Sequence, residues 1–132
     1  MKLIITDSIE KHELSALERV FSLSVIKVAA IKSLKGPGEN IKNSISIPKT
    51  ILRKIYITSS SGAGRAMFLL QIEAEKAILV IIRQKKDKQI GANMAVENPK
   101  FKKVLERNLD LIIRDLEVGK YKEYDLESQI AI

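Results

Sequence analysis

Residues Ala77-Ile78-Leu79-Val80-Ile81-Ile82 form an unbroken apolar run that stops at Arg83-Gln84-Lys85-Lys86-Asp87-Lys88. Six such residues suit a strand whose two faces are both covered. The chain must then build a sheet with this strand inside it and supply other elements to bury it. The flanking segments carry strand signals as well. Ile51 to Thr58 and Arg65 to Ile72 are separated by Ser59-Ser60-Ser61-Gly62-Ala63-Gly64, a small-residue linker that reads as a turn or loop, so the pair predicts a β-hairpin. Glu73 to Lys76 predicts the next turn, giving three consecutive antiparallel strands.

Helical signals lie on either side of this unit. Met1 to Thr6 reads as a short strand, followed by a helix capped at Asp7-Ser8 or Ser15 with Leu14, Leu17, Val20 and Phe21 at helical spacing. A second helix is predicted from Ser24, carrying Val25, Ile26, Val28, Ala29, Ile31 and Leu34 and ending at Gly36-Pro37-Gly38. These two predict a helical hairpin, and Glu39 to Ile47 reads as a loop. Asn98-Pro99 marks a sharp helix start, because Asn caps well and Pro at the first helical position loses no hydrogen bond. Phe101, Val104, Leu105, Leu109, Ile112, Ile113 and Leu116 then form an apolar stripe that ends at Gly119. Tyr121 to Ile132 is acidic and reads as a short terminal strand or a frayed tail. The expected fold is α+β: an N-terminal strand and helical hairpin packed on a small antiparallel sheet, then a C-terminal helix. With 132 residues, one domain over 1–132 is expected.

Charge narrows the function classes. The chain carries 23 Lys and Arg against 16 Asp and Glu, a formal +7. The excess is local: residues 27–65 hold eight basic groups against one acidic, and residues 83–103 hold seven against two. Residues 104–132 are acidic by three charges. Two basic blocks flanking a strand pair point to a polyanion, since each neutralised phosphate releases counterions; a solvated lysine surface explains charge alone equally well. The chain has no cysteine, which excludes disulfides, thiolate nucleophiles and sulfur-ligated metals. Its one histidine, His12, reads as a surface helical residue, and Asp110 and Asp115 as solvated helix acids. Phosphate loops, dinucleotide fingerprints and hydrolase motifs are missing. The apolar start is too short for a signal peptide and no run reaches membrane-spanning length, so a cytoplasmic protein without membrane contact is expected.

The turn near Glu75 should bring Arg65, expected to open its strand, beside the Arg83–Lys88 cluster. Such a cluster suits metal-independent RNA cleavage, in which the 2′-hydroxyl of the substrate attacks the adjacent phosphate. An arginine contacts phosphate oxygens in bidentate fashion, and a lysine among cations acts as base or electrostatic stabiliser. Tyr56 is the aromatic residue best placed to stack on a base.

Gly64-Arg65-Ala66-Met67-Phe68-Leu69-Leu70, the following turn, the run Ile78 to Ile82 and Arg83-Gln84-Lys85-Lys86-Asp87-Lys88 resemble the RelE/ParE toxin superfamily, with the closest likeness to its HigB-like branch. The resemblance implies a toxin of a type II toxin–antitoxin system, an endoribonuclease cleaving messenger RNA at the ribosome without a cofactor. It also implies a cognate antitoxin protein as partner, in an oligomer with the toxin. By position, Arg65 takes the role of the phosphate-contacting arginine and Lys85 that of the lysine after the last buried strand. Arg53, Lys54, Tyr56, Arg83, Lys86 and Lys88 are expected to hold the RNA. Arg83 stands where the family usually has an aromatic residue, and Lys86 where it has an asparagine. The ParE branch inhibits DNA gyrase instead, so a non-catalytic module directed at gyrase or another protein is the alternative, alongside a basic RNA-binding protein.

Overall fold

Strand β5, Lys76–Gln84, is the axis of the structure, a computed structural model that describes residues 1–17, 20–36, 38–41 and 47–126. Ala77 to Ile82 are all at most 1 % exposed, as an apolar run covered on both faces requires. On one side β5 pairs antiparallel with β4 (Gly62–Gln71), which pairs with β3 (Ile51–Ser59). The short strand β2 (Glu39–Ile41) adds to β3 over Leu52 to Lys54. On its other side β5 meets β1 (Lys2–Thr6) in parallel, and β6 (Tyr121–Asp125) closes that edge antiparallel to β1. The sheet order is β2-β3-β4-β5-β1-β6.

The α+β expectation holds, with differences in detail. The sheet has six strands, and one pairing is parallel. Leu3, Ile4 and Ile5 are all buried, so β1 occupies the interior between β5 and β6. The Ser59–Gly64 linker is mostly strand: Ser59 pairs with Gly62, leaving only Ser60 and Ser61 in the turn. Arg65 is consequently the fourth residue of β4, not its first. Glu39 to Ile41, expected as loop, forms β2, while residues 42–46 of that segment and Pro37 of the Gly36–Gly38 stop lie outside the described residues. Tyr121 to Asp125 forms the terminal strand, and residues 127–132 are likewise outside them.

The N-terminal helical pair is one full helix and one short irregular turn. Helix α1 spans Asp7–Ile9 and passes into a π-helical turn, Glu10–Leu14. Its cap is Thr6, whose hydroxyl accepts from the Ile9 N–H at 3.4 Å. The Asp115 carboxylate accepts from the Ser8 N–H at 2.8 Å, so Asp115 is a buried cap and not the solvated acid expected. Helix α2, Leu23–Lys35, starts from Ser22 rather than Ser24, because the Ser22 hydroxyl accepts from the Val25 N–H. Helix α3, Pro99–Val118, has the bounds its signals predict: Asn98 caps it and Gly119 ends it at φ 75°. Phe101, Leu105, Leu109 and Ile112 are buried along one stripe. Each contributes roughly 1.5–3 kcal/mol on burial.

Where β1 turns off into α1, β5 continues without a strand on that side. The Val80 carbonyl and the Ile82 N–H face this gap, and two side chains fill it. Asn108 of α3 donates its amide to the Val80 carbonyl at 2.8 Å, and the Glu13 carboxylate accepts from the Ile82 N–H at 2.9 Å. The Asn108 amide also reaches Glu13 Oε2 at 3.2 Å. Glu13 is 1 % exposed, and its charge is met by Arg83 and, at 3.9 Å, by Arg107. Arg107 in turn donates to Asn108 Oδ1 at 3.0 and 3.1 Å.

Removing one partner of a buried ion pair costs about 3–5 kcal/mol, because the other charge stays behind uncompensated. Glu13→Ala should lower the urea unfolding free energy by that amount. Glu10→Ala, which removes a surface pair with Lys122, should stay within about 1 kcal/mol of the parent.

Candidate nucleic-acid interface

The register of the central strands sets a row of three side chains. Tyr56 of β3 lies opposite Arg65 of β4, and Arg65 lies opposite Arg83 of β5. Directly opposed residues share one face, with Cβ atoms about 4.5–5.5 Å apart. The neighbourhood expected from the turn at Glu75 therefore exists in the backbone. The side chains then diverge. The Arg83 guanidinium bonds to the Glu13 carboxylate, donates to the Ile82 carbonyl at 2.9 Å, and stands 3.6 Å from the Asp87 carboxylate. Its charge is spent inside the protein, so Arg83 does not join an anion cradle with Arg65.

Arg65 has a different setting. Its NH1 donates to the Ala92 carbonyl at 3.1 Å, and its Cζ lies 5.2 Å from the centre of the Tyr56 ring. The Nε is buried without a hydrogen-bond partner. Among the described residues no carboxylate pairs with it. An arginine over an aromatic face keeps its full charge while its planar group is held in one orientation.

A tight loop after β5 presents that Ala92 carbonyl. The Asp87 side chain accepts from the N–H groups of Gln89 at 2.9 Å and Ile90 at 3.3 Å, and the Ala92 N–H returns to the Asp87 carbonyl at 2.8 Å. From the start of α3, the Asn98 amide donates to the carbonyls of Gln89 and Asn93 at 2.8 and 2.9 Å. The loop passes so close to the end of β5 that a Cβ on Gly91 would sit 1.9 Å from the Gln84 carbonyl oxygen.

The remaining basic residues divide by availability. Lys85, Lys86 and Lys88 are exposed beyond β5. The Lys85 N–H donates to the Ala63 carbonyl at 3.0 Å, and Lys85 and Lys86 border an open groove with Ser61 and Ala63. Lys54 is only 9 % exposed, its ammonium 2.9 Å from Glu39 and 3.4 Å from the Met94 carbonyl. Arg53 donates to the Ser33 carbonyl at 2.6 Å and to Asn40 at 2.9 Å, tying α2 to β2 and β3. Adjacent strand residues point to opposite faces, so Arg53 lies on the face away from Lys54 and Tyr56. Both are structural in this setting. His12 is exposed on the π-helical turn, and Asp110 pairs with Arg114 at the surface.

Sequence reasoning missed Glu13 and Asn108. Glu13 sits in the polar neighbourhood Glu10-Lys11-His12-Glu13, which reads as a solvated helix face, and no local pattern says that it plugs a strand edge 69 residues away. It also missed the loop that holds Arg65. Gly91-Ala92-Asn93 reads as loop, but the approach of Gly91 to Gln84 is a tertiary fact.

Gly91→Ala should displace the loop and release Arg65 from Ala92. Overpacking against a backbone atom costs about 1–3 kcal/mol. The expected outcome is a lower thermal midpoint, together with faster hydrogen exchange at the Gln89, Ile90 and Ala92 amides than in the parent.

Among the described residues, no group of three or more acidic or histidine side chains is placed to hold a metal ion, and no helix is long and apolar enough to cross a membrane. Comparison with protein-family models, with curated proteins and with solved structures found no match to the chain.

Proposed function

We propose that the protein binds RNA through the basic end of its sheet. The observation that carries this reading is the contrast among its cations: Arg83 and Lys54 are neutralised by carboxylates, whereas Arg65 is held over Tyr56 with no acid beside it and Lys85, Lys86 and Lys88 stand in solvent. Unpaired positive charge fixed at one end of a sheet repels itself. Phosphates relieve that repulsion and release counterions as they bind. Messenger RNA, free or on the ribosome, is the partner that the RelE/ParE resemblance favours, with an antitoxin protein as the neutralising partner.

Within that reading, the narrower activity is toxin-type endoribonucleolytic cleavage. Arg65 would hold the non-bridging oxygens of the scissile phosphate as the 2′-hydroxyl attacks and the bond to the 5′-oxygen breaks, and the Lys85 ammonium would offset charge on the phosphorane and the departing 5′-oxygen, the 2′-hydroxyl proton passing to water. These two residues lie on neighbouring strands: Lys85, just past the end of β5, donates its backbone N–H to the carbonyl of Ala63, two residues before Arg65 on β4. Arg83, expected to hold the RNA, is paired internally with Glu13, so contacts to the RNA backbone fall to the lysines beyond β5.

Titrating labelled single-stranded RNA at several salt concentrations tests the binding. Each phosphate contact on a single strand contributes about 0.7 to the slope of log K against log salt. The Lys85→Ala/Lys86→Ala double variant should flatten that slope by about 1.4. An unchanged slope would place the interface elsewhere. Incubating the same RNA and translating ribosomes with the protein in excess chelator tests cleavage. If products form, Arg65→Ala should slow them by about 10²–10³-fold, the usual cost of losing one preorganised donor.

A further inference from the structure

We infer that a phosphodiester of the bound RNA is seated over the Ala63 methyl group, in a cradle of hydrogen-bond donors drawn from neighbouring strands. The inference rests on the RNA-binding reading above and adds Thr58 and Ser61 to the residues that hold the phosphate. Sheet register fixes the neighbours of Ala63. Thr58 of β3 lies directly opposite it. On its other side the Lys85 N–H donates to the Ala63 carbonyl at 3.0 Å, continuing the pairing of Gly64 with Gln84. Alternation puts Thr58, Ala63 and Lys85 on the face that carries Tyr56 and Arg65. That face looks away from α2, because Arg53, which reaches α2, points the other way. Arg65 follows Ala63 by two residues along β4, and Ser61 precedes it by two at the turn. All four neighbours end in a donor, and none is an acid. Among the described residues no partner is bonded to the side chains of Thr58, Ser61 or Lys85. Glu13 and Asp87, the acids at this end of β5, are engaged by Arg83 and by the loop amides.

The small side chain at position 63 leaves the room. Gly64 beside it is small for packing reasons, since a Cβ there would come within 2.3 Å of the Phe21 ring and 2.8 Å of the Arg83 carbonyl oxygen. Ala63 faces the other way, and it is exposed together with Thr58, Ser61 and Lys85. A β-branched residue suits an open strand position better than alanine does. Here the alanine leaves a hollow one side chain deep. An open groove of about 530 Å³, bordered by Ser61, Ala63, Lys85 and Lys86, leads from it, so the chain that carries the phosphate has a way out past Lys86. Arg65 and Lys85 are diagonal neighbours, with Cβ atoms about 7–8 Å apart, and their side chains are long enough to converge on one anion. Arg65 is held for this by the Tyr56 ring and the Ala92 carbonyl. A carboxylate presents two oxygens in one plane. A phosphodiester presents two charged oxygens and two ester oxygens in a tetrahedron, which suits donors set on four sides of a methyl group.

The test uses the full chain and the labelled single-stranded RNA of the salt titration. Both positions to be changed are exposed, so each variant should keep the thermal midpoint of the parent. Ala63→Gln fills the hollow without altering net charge. It should weaken binding by about tenfold or more, as displacing a hydrogen-bonded charge does, and flatten the salt slope by about 0.7 for one phosphate. Thr58→Val keeps the shape of the side chain and removes its hydroxyl. It should weaken binding by about three- to tenfold, and Thr58→Ser should restore the parent affinity. Parent affinity in both Ala63→Gln and Thr58→Val, with Lys85→Ala/Lys86→Ala still flattening the slope, overturns the seat and leaves the RNA reading standing. Failure of the parent protein to bind the RNA at low salt overturns both. Poly-glutamate of equal charge, bound as tightly as the RNA and weakened as much by Ala63→Gln, would give the hollow to protein carboxylates and likewise overturns the seat.

Discussion

The carboxylate of Glu13 is the contact on which the rest of the structure depends. A strand buried on both faces needs its backbone groups paired, and β5 outruns its parallel neighbour β1 by half its length. An open N–H and carbonyl in the interior would each cost on the order of 1–3 kcal/mol. Glu13 and Asn108 supply the acceptor and the donor that a longer β1 would have offered. The chain can thus leave the sheet at Thr6, form the π-helical turn and return through α2 to the opposite face. A π-helical turn is uncommon; here it carries Glu13 into the edge of β5.

Burying that carboxylate commits Arg83. A lone buried charge is far more costly than a paired one, and Arg83 of the same strand is the nearest partner. The consequence reaches the surface. Of two arginines set opposite each other by strand register, one is drawn inward by Glu13, and the other is left to stack on Tyr56 and donate to a loop carbonyl. A structural requirement of the sheet thereby decides which cation remains available to an anion. The division between structural and available basic residues follows burial and pairing, not position along the chain: Arg53 and Lys54 lie within a few residues of Tyr56 yet serve α2, β2 and the Met94 loop.

Much of the fold was legible because local chemistry and tertiary structure agree there. Asn98-Pro99 and Gly119 bound α3 through their own backbone preferences, and the Ala77–Ile82 run is a buried strand in any packing that keeps it dry. The three-strand antiparallel unit follows from its turns. Legibility failed where a segment's role is set from outside. Gly62 to Gly64 has loop composition, yet it extends β4 because β3 is there to pair with it. Asp115 has the sequence context of a solvated acid, yet the first turn of α1 arrives with unmet N–H groups. The juxtaposition of Arg65 and Arg83 was readable from the turn between their strands, while the fate of their charges was not.

The amino-acid sequence by itself determined the elements: an apolar run that must be interior, a capped amphipathic helix, a hairpin, and two blocks of excess positive charge. These are properties of neighbours along the chain, governed by periodicity, capping and turn chemistry over a few residues. Tertiary structure alone decided that β1 enters the sheet in parallel beside β5, that Glu13 completes the edge it leaves, and hence that Arg83 is neutralised while Arg65 keeps its charge. The physical reason is that electrostatic pairing and desolvation depend on distance in space, and residues 13, 83 and 108 become neighbours only once the sheet has formed.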